Sequence, residues 1–381
     1  KMDLNPYYTN KYLSDLLIAN LSIEAPNIAL DIGFGNGDLL HAAKRRWNDI
    51  SLVGIDLDQR NVTTALSKNR IEAHNFDGFN PDLPPLLIEK YGKIDLLISN
   101  PPYFSTDFNY KVNSILKCAG ISDAISKKVS SIPTELVFLA QNLRLMNTGD
   151  EMGIILPAGL ISGERWNHLR ELLAENYVIK KVIQLPENSF KKTDAQTFIL
   201  IISKVTCIYE SANISLLSAE KECDNEIIIS KEEFVRRADF NYYESLNNNG
   251  QAINNRNINA TLFRGNISYK ELCYITPHFI HTTVMPKNSE IINCLSRPIE
   301  GLKHAKKGDI IVARVGRRCV GRVAMINNGV LPVSDCVIVI RPNSLEDGCS
   351  IWKRLSLESS RYLLRSRALG VGAKYITHNL L

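Results

Sequence analysis

Short apolar runs alternate with segments of helical periodicity over about the first 200 residues of this chain. Runs of four to eight residues rich in Val, Ile and Leu predict buried strands, and apolar residues three or four positions apart predict amphipathic helices. Residues 133–146 show the helical spacing, with Leu136, Leu139, Ala140 and Leu143 on one face. Because alternating strands and helices assemble into a parallel sheet covered on both faces, the sequence predicts an α/β fold with a doubly wound sheet.

The predicted elements divide the chain into two folded parts and a connection. Strands are predicted at 28–31, 51–56, 70–75, 94–99, 151–156, 179–184 and 197–203, and helices at 38–47, 60–69, 133–146 and 166–176. Beyond residue 205 the pattern changes, and an Asn-rich stretch at 247–257 has the composition of a loop. Apolar runs at 309–315, 320–326 and 336–340, separated by Gly and Pro, predict a mainly β domain with a terminal helix near 355–369. We therefore predict domains at 1–204 and 258–381, joined by a connecting segment at 205–257.

Charge is distributed unevenly between these parts. The whole chain carries a formal charge of +5, but residues 261–381 hold 18 Lys and Arg against 8 Asp and Glu, a balance of +10. A basic C-terminal part indicates a polyanionic partner such as nucleic acid. The alternative, solvated charges that bind nothing, has equal weight at this point.

The cysteine spacing and the apolar runs indicate the cellular compartment and argue against disulfide, metal and membrane-spanning features. The eight cysteines show no C-x-x-C pair and no His at zinc-ligand spacing, which favours reduced thiols over a disulfide framework or a metal site. No run reaches the roughly 18 apolar residues of a membrane span, and the N-terminus lacks the apolar segment of a secretory signal. We expect a cytoplasmic protein without a metal or a membrane anchor. The chain begins at Lys1, so we also expect an initiator or upstream segment to be absent from it.

A glycine-rich turn follows the first predicted strand. Asp31 precedes Gly33, Gly35 and Gly37, and a helix follows. Glycines permit a tight turn and close approach of the backbone to a ligand, at the sheet edge where nucleotides bind. Asp38 stands where a dinucleotide fingerprint needs its last glycine, which disfavours NAD and FAD. An acid before the first glycine instead suits a cationic amino group.

Two further acids follow the next two strands. Asp56 ends the second strand, where a carboxylate can accept both ribose hydroxyls, and Asp77 follows the third, where it can accept from an adenine amino group. Any one of the three acids alone would more often be a strand cap or turn former. Together with the glycine turn they resemble the S-adenosylmethionine-binding motifs of class I methyltransferases.

The tetrapeptide Asn100-Pro101-Pro102-Tyr103 follows the fourth strand. The prolines remove two backbone donors and stiffen the loop, which leaves the Asn100 side-chain oxygen and the Pro101 carbonyl as acceptors. Acceptors on both hydrogens of a conjugated amine favour pyramidalisation and aim its lone pair at a methyl donor. Tyr103 offers a face for stacking. The motif resembles that of methyltransferases acting on adenine N6, cytosine N4, RNA guanine N2 or protein glutamine N5.

The order of the motifs resembles the gamma group of DNA adenine-N6 methyltransferases of type I and type II restriction-modification systems. The resemblance covers about residues 5–204 and implies a class I methyltransferase Rossmann-like sheet. In that family a segment near the N-terminus touches the cofactor, and the matching segment of this chain includes Thr9. The family's loop before the last strands matches a segment that includes Phe190, which would stack on an extruded base opposite Tyr103. The implied cofactor is S-adenosylmethionine, bound by Thr9, Asp31, Gly33, Gly35, Asp56, Leu57, Asp77, Gly78 and Asn100. The implied catalytic set is Asn100, Pro101, Pro102, Tyr103 and Phe190.

The C-terminal part resembles, more loosely, the target recognition domains of type I specificity subunits. The resemblance covers about residues 236–381 and rests on segments 236–243, 307–316 and 370–377. It implies DNA contacts from Arg314, Arg317, Arg318, Arg322 and Lys374, although any single arginine is more often a solvated charge. In that family more chain follows the last segment, so we expect a C-terminal truncation at Leu381.

The sequence thus predicts methyl transfer to N6 of a flipped-out adenine in a specific sequence of double-stranded DNA, within a restriction-modification or related defence system. A restriction nuclease or specificity subunit is the protein partner that the resemblance implies. Three alternatives stay open: methylation of cytosine, methylation of RNA guanine N2 or protein glutamine N5, and a non-catalytic DNA-binding scaffold.

Overall fold

The structure is a computed structural model that describes residues 9–68, 70–126, 129–187, 189–190, 196–206, 213–220, 225–247, 259–370 and 374–378. The chain divides into two compact units, Lys1–Phe240 and Asn241–Leu381. None of the helices within the described ranges has the length and apolarity needed to cross a membrane.

The first unit alternates strands and helices along the chain. Its strands are β1 (Ile28–Ile32), β2 (Ser51–Asp56), β3 (Glu72–Asn75), β4 (Leu96–Ser99), β5 (Ser105–Asp107), β6 (Ser131–Pro133), β7 (Glu151–Pro157), β8 (Val178–Gln184), β9 (Thr197–Ser203), β10 (Ile214–Ser218) and β11 (Ile227–Ile229). Its helices are α1 (Lys11–Ala19), α2 (Asp38–Arg46), α3 (Gln59–Ser67), α4 (Leu83–Tyr91), α5 (Tyr110–Cys118), α6 (Thr134–Leu145), α7 (Ala158–Ser162), α8 (Asn167–Asn176) and α9 (Lys231–Arg236). Every strand and helix predicted before residue 204 is present, with ends that differ by at most two residues.

Among the described residues, nine of these strands form one sheet in the order β11-β10-β8-β9-β7-β4-β1-β2-β3. β9 runs antiparallel to β7 and β8, and β11 antiparallel to β10, whereas the other neighbours are parallel. Strand order reverses between β1 and β4, so a crevice opens beyond their carboxyl ends. β10 and β11 lie within residues 205–257, so part of the predicted connecting segment belongs to this sheet.

Local sequence explains where the helices beside this crevice begin. Asn10, Asp58 and Asn109 cap α1, α3 and α5 by accepting from a backbone N–H of the first turn. Gly37 precedes α2 in the left-handed region, with a φ of 77°, which glycine adopts without strain. An apolar cluster that includes Leu17, Leu40 and Ile98 packs α1 and α2 on one face of the sheet.

The second unit, as far as it is described, is a six-stranded sheet with helices. Its strands are β12 (Ala260–Arg264), β13 (Glu290–Ser296), β14 (His304–Lys306), β15 (Ile310–Ala313), β16 (Val323–Pro332) and β17 (Val337–Pro342), and its helices are α10 (Phe240–Asn247), α11 (Tyr269–Ile275), α12 (Leu345–Leu355) and α13 (Glu358–Arg367). The strand order is β12-β17-β15-β16-β13, with β14 paired to β16. Alternate residues of β15 and β17 face two separate apolar clusters, one of which includes Ile351 and Leu364 of α12 and α13. A helix was predicted near 355–369; the structure has two, α12 and α13.

Candidate active site

A cavity lies at the carboxyl ends of β1, β2, β3 and β4. All nine residues predicted to bind the cofactor line it, from Thr9 to Asn100. Pro102 lines it as well, whereas Pro101, Tyr103 and Phe190 do not. The fold therefore brings the glycine turn, the strand-end acids and part of the Asn-Pro-Pro-Tyr motif to one place.

The glycine turn after β1 is held by backbone contacts that glycine alone permits. Gly33, Gly35 and Gly37 have φ values of 86°, 56° and 77°. Gly33 N donates to Ile55 O at 2.6 Å, and a side-chain carbon at Gly33 would lie 3.1 Å from Phe138 Cε1. The turn therefore presents bare backbone to the cavity, which suits a ligand that must approach closely.

Asp31 is a buried acid that forms no salt bridge with any of the described residues. Its side chain is 2% exposed, and Oδ1 has no hydrogen-bond partner among the described residues. Burial, and secondarily repulsion from Asp56 and Asp38, raises the pKa of this carboxyl well above its ordinary value. Because a buried carboxylate is unfavourable until a cation reaches it, the site favours a ligand that places an ammonium group beside Asp31.

Asp56 holds the glycine turn as well as lining the cavity. Its Oδ2 accepts from Gly35 N at 2.8 Å and from Asn61 Nδ2 at 3.2 Å, and its Oδ1 accepts from Asp58 N at 2.8 Å. A carboxylate offers about four acceptor positions, so about one is left for a ligand hydroxyl. Asn61 thus positions Asp56, a contact that the sequence analysis did not identify.

An aromatic wall surrounds Asp77 and Gly78. Phe76, Phe79 and Phe138 line the cavity, and the rings of Phe79 and Phe138 meet edge to face at 6.0 Å. A side-chain carbon at Gly78 would lie 2.9 Å from Phe138 Cζ, so glycine makes room for that ring. The wall suits a planar heterocycle. The sequence analysis missed it, although two phenylalanines flanking Asp77-Gly78 were a local signal.

The Asn100 amide is hydrogen-bonded at both ends. Nδ2 donates to Thr9 Oγ1 at 2.9 Å, and Oδ1 accepts from the Tyr103 hydroxyl at 2.7 Å. The same hydroxyl lies 3.3 Å from Ile155 O. Contacts at both ends therefore fix the orientation of the Asn100 amide plane.

The Tyr103 and Phe190 rings touch each other. Their centroids are 6.1 Å apart with the planes at 64°, and Phe190 is 3% exposed within the apolar core. A base stacked between two parallel rings needs two contact distances of about 3.5 Å, or roughly 7 Å in all. In this arrangement the pair is closed, and a base can enter between the rings only if they move apart.

The predicted DNA-contacting residues of the second unit lie on two segments that pair with each other. Gly316 N donates to Lys374 O at 2.9 Å, and Ile376 N donates to Arg314 O at 2.9 Å. Arg314 Nε donates to Asp335 O and Arg322 Nη1 to Met285 O, so parts of both guanidinium groups are engaged within the fold. Arg317 and Arg318 are exposed on the turn between them. The part of segment 370–377 at residues 371–373 lies outside the described residues.

No group of three or more His, Cys, Asp or Glu side chains among the described residues is arranged to hold a metal ion.

Comparison with known proteins identifies the family. A family model described as N-6 DNA Methylase matches residues 4–267. The chain belongs to the N-6 DNA methylase family. The type II methyltransferase M.CvrRI of Paramecium bursaria Chlorella virus XZ-6E is 23% identical over 209 residues, which are 54% of this chain and 50% of that protein. The type I restriction enzyme MpnII methylase subunit of Mycoplasma pneumoniae is 23% identical over 220 residues, which are 52% of this chain and 40% of that subunit.

A shorter similarity concerns a different methyl acceptor. The release factor glutamine methyltransferase of Fusobacterium nucleatum is 38% identical over 88 residues, which are 22% of this chain and 24% of that protein. The chain thus spans half or less of the length of each of these relatives.

The solved structures show the fold. The structure of the type IIG restriction endonuclease BpuSI is similar over 97% of this chain and 57% of its own, with a TM-score of 0.55 and 13% identity. The first unit has the class I methyltransferase fold, and the predicted fold class is confirmed. At this identity the likeness concerns the fold alone.

Proposed function

We propose that this chain transfers a methyl group from S-adenosylmethionine to N6 of an extruded adenine in double-stranded DNA. The observation that carries the proposal is that Asp31 and Asn100 line the same cavity. One end offers the buried carboxyl of Asp31, whose Oδ1 has no hydrogen-bond partner among the described residues, and the other offers the side-chain amide of Asn100, held by Thr9 and Tyr103. Family membership supports the same chemistry.

The residues of the cavity fit the proposed cofactor group by group. Asp31 would hold the α-ammonium group, and the bare backbone of Gly33 and Gly35 would admit the methionine portion. Asp56 would accept from the ribose, and Asp77 from the adenine amino group, with the rings of Phe76, Phe79 and Phe138 around the base. Leu57 and Gly78 would line the same portion. When bound, S-adenosylmethionine supplies an electrophilic methyl group on a sulfonium sulfur.

The Asn-Pro-Pro-Tyr loop would activate the target amine. The Asn100 Oδ1 and the Pro101 carbonyl would accept the two amine hydrogens, while Pro102 stiffens the loop. The pyramidal amine nitrogen would form its bond to the methyl carbon in line with the breaking S–C bond, and water would take the released proton. S-Adenosylhomocysteine would remain. Positioning and electrostatics account for such a transfer without a metal.

The target base must leave the helical stack to reach Asn100, because N6 is buried in a duplex. Tyr103 and Phe190 would then separate and take the base between them. The basic second unit would supply contacts to DNA. By analogy with the type I methylase subunit named above, a specificity or restriction subunit would be the protein partner.

Methylation of a glutamine amide is the second candidate, because the 38% identity to the glutamine enzyme is the highest of the relatives described here. The second unit disfavours it: residues 261–381 carry a balance of +10, which suits a polyanion better than a protein surface.

The test is transfer of tritium from labelled S-adenosylmethionine to mixed-sequence duplex DNA, followed by digestion to nucleosides. We expect labelled N6-methyladenine from the wild type and none from Asn100→Ala. Asn176→Ala, at an exposed asparagine on the end of α8, is the matched control and should keep activity. Label recovered in N4-methylcytosine, in RNA or in protein would show that the methyl acceptor is not adenine N6. Activity of Asn100→Ala equal to that of the wild type would exclude the proposed site.

A further inference from the structure

We infer that the second unit carries a binding site for the phosphate backbone of duplex DNA, built from three segments that the sequence keeps apart. They are the turn at residues 316–322, helix α13 and the stretch at residues 285–287. The inference rests on the proposed function for its ligand, but it adds Lys287, Arg361 and Arg365, which no sequence pattern indicated. We call these three segments the basic patch.

The turn of the basic patch is fixed by its backbone. Val320 N donates to Gly316 O at 2.8 Å, and Gly321 N donates to Ala313 O at 2.9 Å. Gly316 and Gly321 have φ values of 122° and 78°, which favour glycine. The turn therefore holds the exposed side chains of Arg317 and Arg318 on an ordered backbone.

The turn lies directly against α13. A side-chain carbon at Gly321 would lie 3.2 Å from Leu364 Cβ, 3.4 Å from Arg361 O and 3.4 Å from Arg365 Cγ. Arg361 and Arg365 are four positions apart and therefore share one face of α13. Two helical arginines thus stand beside the arginines of the turn.

The third segment is bound to both of the others. Arg322 Nη1 donates to Met285 O at 3.2 Å, and Arg361 Nη1 donates to Lys287 O at 3.1 Å. These bonds bring the exposed Lys287 to the same place. The Nε atoms of Arg322 and Arg361 are buried and have no acceptor among the described residues.

The basic patch has a strong excess of positive charge. Six cations belong to it: Lys287, Arg317, Arg318, Arg322, Arg361 and Arg365. In the described part of the second unit, Arg317, Arg322, Arg361 and Arg365 form no salt bridge. The acidic residue of the same helix is Glu358, in the first turn of α13. These four arginines, which have no carboxylate partner among the described residues, match the bidentate geometry of phosphates.

The experiment compares two charge-removing variants of the full chain. Arg317→Gln/Arg365→Gln removes two exposed charges of the basic patch. The control, Arg297→Gln/Lys306→Gln, removes two exposed charges beside Val330, at the far end of β16. Val330 is on the order of 20 Å from Val323 and the patch, at the usual rise per residue of a strand. Both variants are checked by thermal melting and by S-adenosylmethionine binding, which neither should change.

Binding is measured by fluorescence anisotropy with a mixed-sequence duplex of about 30 base pairs over a series of NaCl concentrations. Each lost phosphate contact lowers the slope of log K against log salt by about 0.9. We expect the patch variant to lose about 2 from the slope and the control to lose less than half as much. An unchanged slope in the patch variant, or an equal loss in the control, would overturn the inference.

Methyl transfer to the same DNA separates this inference from the proposed function. If the wild type transfers methyl groups to DNA and the slope is unchanged in the patch variant, the proposed function is supported and the inference about the basic patch is rejected. The expected loss of slope without any transfer to DNA would support the patch and reject the proposed function.

Discussion

The amide nitrogen of Asn100 donates a hydrogen bond to Oγ1 of Thr9, with 2.9 Å between the two atoms. The residues are 91 positions apart, so the loop after β4 and the segment before α1 meet at the cavity. With the Tyr103 hydroxyl on the other end, the amide is held before any substrate arrives. A group that is positioned in advance loses little free energy in reaching its reactive geometry.

Replacing Thr9 tests this contact. Thr9→Val keeps the shape but removes the acceptor, so we expect kcat for methyl transfer to fall roughly fivefold to tenfold, the value of about one hydrogen bond. Thr9→Ser keeps the hydroxyl and should stay within about twofold of wild type. Equal rates for the valine and serine variants in a steady-state assay would show that the bond does not position Asn100.

Asp31→Asn should raise the stability of the free protein and weaken cofactor binding. Because burial raises the Asp31 pKa, the free protein is destabilised as pH rises above the ordinary pKa of the carboxyl, and the amide removes that penalty. We expect the free variant to melt a few degrees higher at neutral pH, from on the order of 1 kcal/mol. S-Adenosylmethionine should bind the wild type more tightly as pH rises, because the carboxylate form increases, and should bind the variant weakly at every pH. Calorimetric titration at several pH values measures cofactor binding by the wild type and by the variant. Tight binding by the variant would show that Asp31 does not bind the cofactor.

Gly33→Ala should damage the cavity more than the fold. Its φ of 86° is strained for alanine, and the new carbon would press on Phe138 Cε1 at 3.1 Å. Gly92→Ala is the matched control, since Gly92 has a φ of 69° and no atom within 4 Å of the added carbon. Both variants should lose about 1 kcal/mol of stability from strain, but Gly33→Ala should also weaken cofactor binding roughly tenfold. Equal cofactor affinities in the two variants would contradict a close approach of the ligand to Gly33.

Two substitutions of Tyr103 separate the contribution of its ring from that of its hydroxyl. If the ring stacks on the base, Tyr103→Phe should keep kcat/KM for DNA within about threefold, since the Asn100 amide still has Thr9. Tyr103→Ala should lower kcat/KM by roughly tenfold to a hundredfold, the value of one lost stacking contact. A phenylalanine variant as inactive as the alanine variant would assign the main function to the hydroxyl bond with Asn100.

Glu135, at the start of α6, should make the folding stability of the protein depend on pH. It is 6% exposed, Oε2 has no partner among the described residues, and burial raises its pKa to about 7. A carboxyl whose pKa is higher in the folded state loses stability as pH rises from its ordinary pKa through the folded value. Glu135→Gln should therefore become more stable than wild type over that window, by on the order of 3 kcal/mol near neutral pH. Glu89→Gln, at an exposed position on α4, should track the wild type in melts between about pH 5 and pH 8. A constant difference between Glu135→Gln and wild type at every pH would exclude the titration.

Much of the cavity was predictable because its parts are local. The left-handed glycines, the acids at three successive strand ends and the prolines after β4 each express their conformation within a few residues. All nine predicted cofactor residues consequently line the cavity, although their individual contributions stay predictions. The strands and helices before residue 204 were predictable for the same reason, because side-chain periodicity follows from the backbone of each segment.

The features that the sequence analysis missed depend on contacts between distant segments. Phe138 lies two positions after Leu136, away from the apolar face identified on α6, and only the packing of that helix against the turns at Gly33 and Gly78 places its ring in the cavity wall. Arg361 and Arg365 have no motif, and their place beside residues 316–322 follows from how α13 packs on the second sheet.

The sequence by itself therefore determined the fold class, the family and the residues around the glycine turn and the Asn-Pro-Pro-Tyr motif. The tertiary structure decided that Thr9 holds Asn100, that Tyr103 and Phe190 touch, and that three basic segments converge. The physical reason is that dihedral preferences and periodicity belong to neighbours along the chain, whereas a contact between segments exists only after the sheet and its helices have packed.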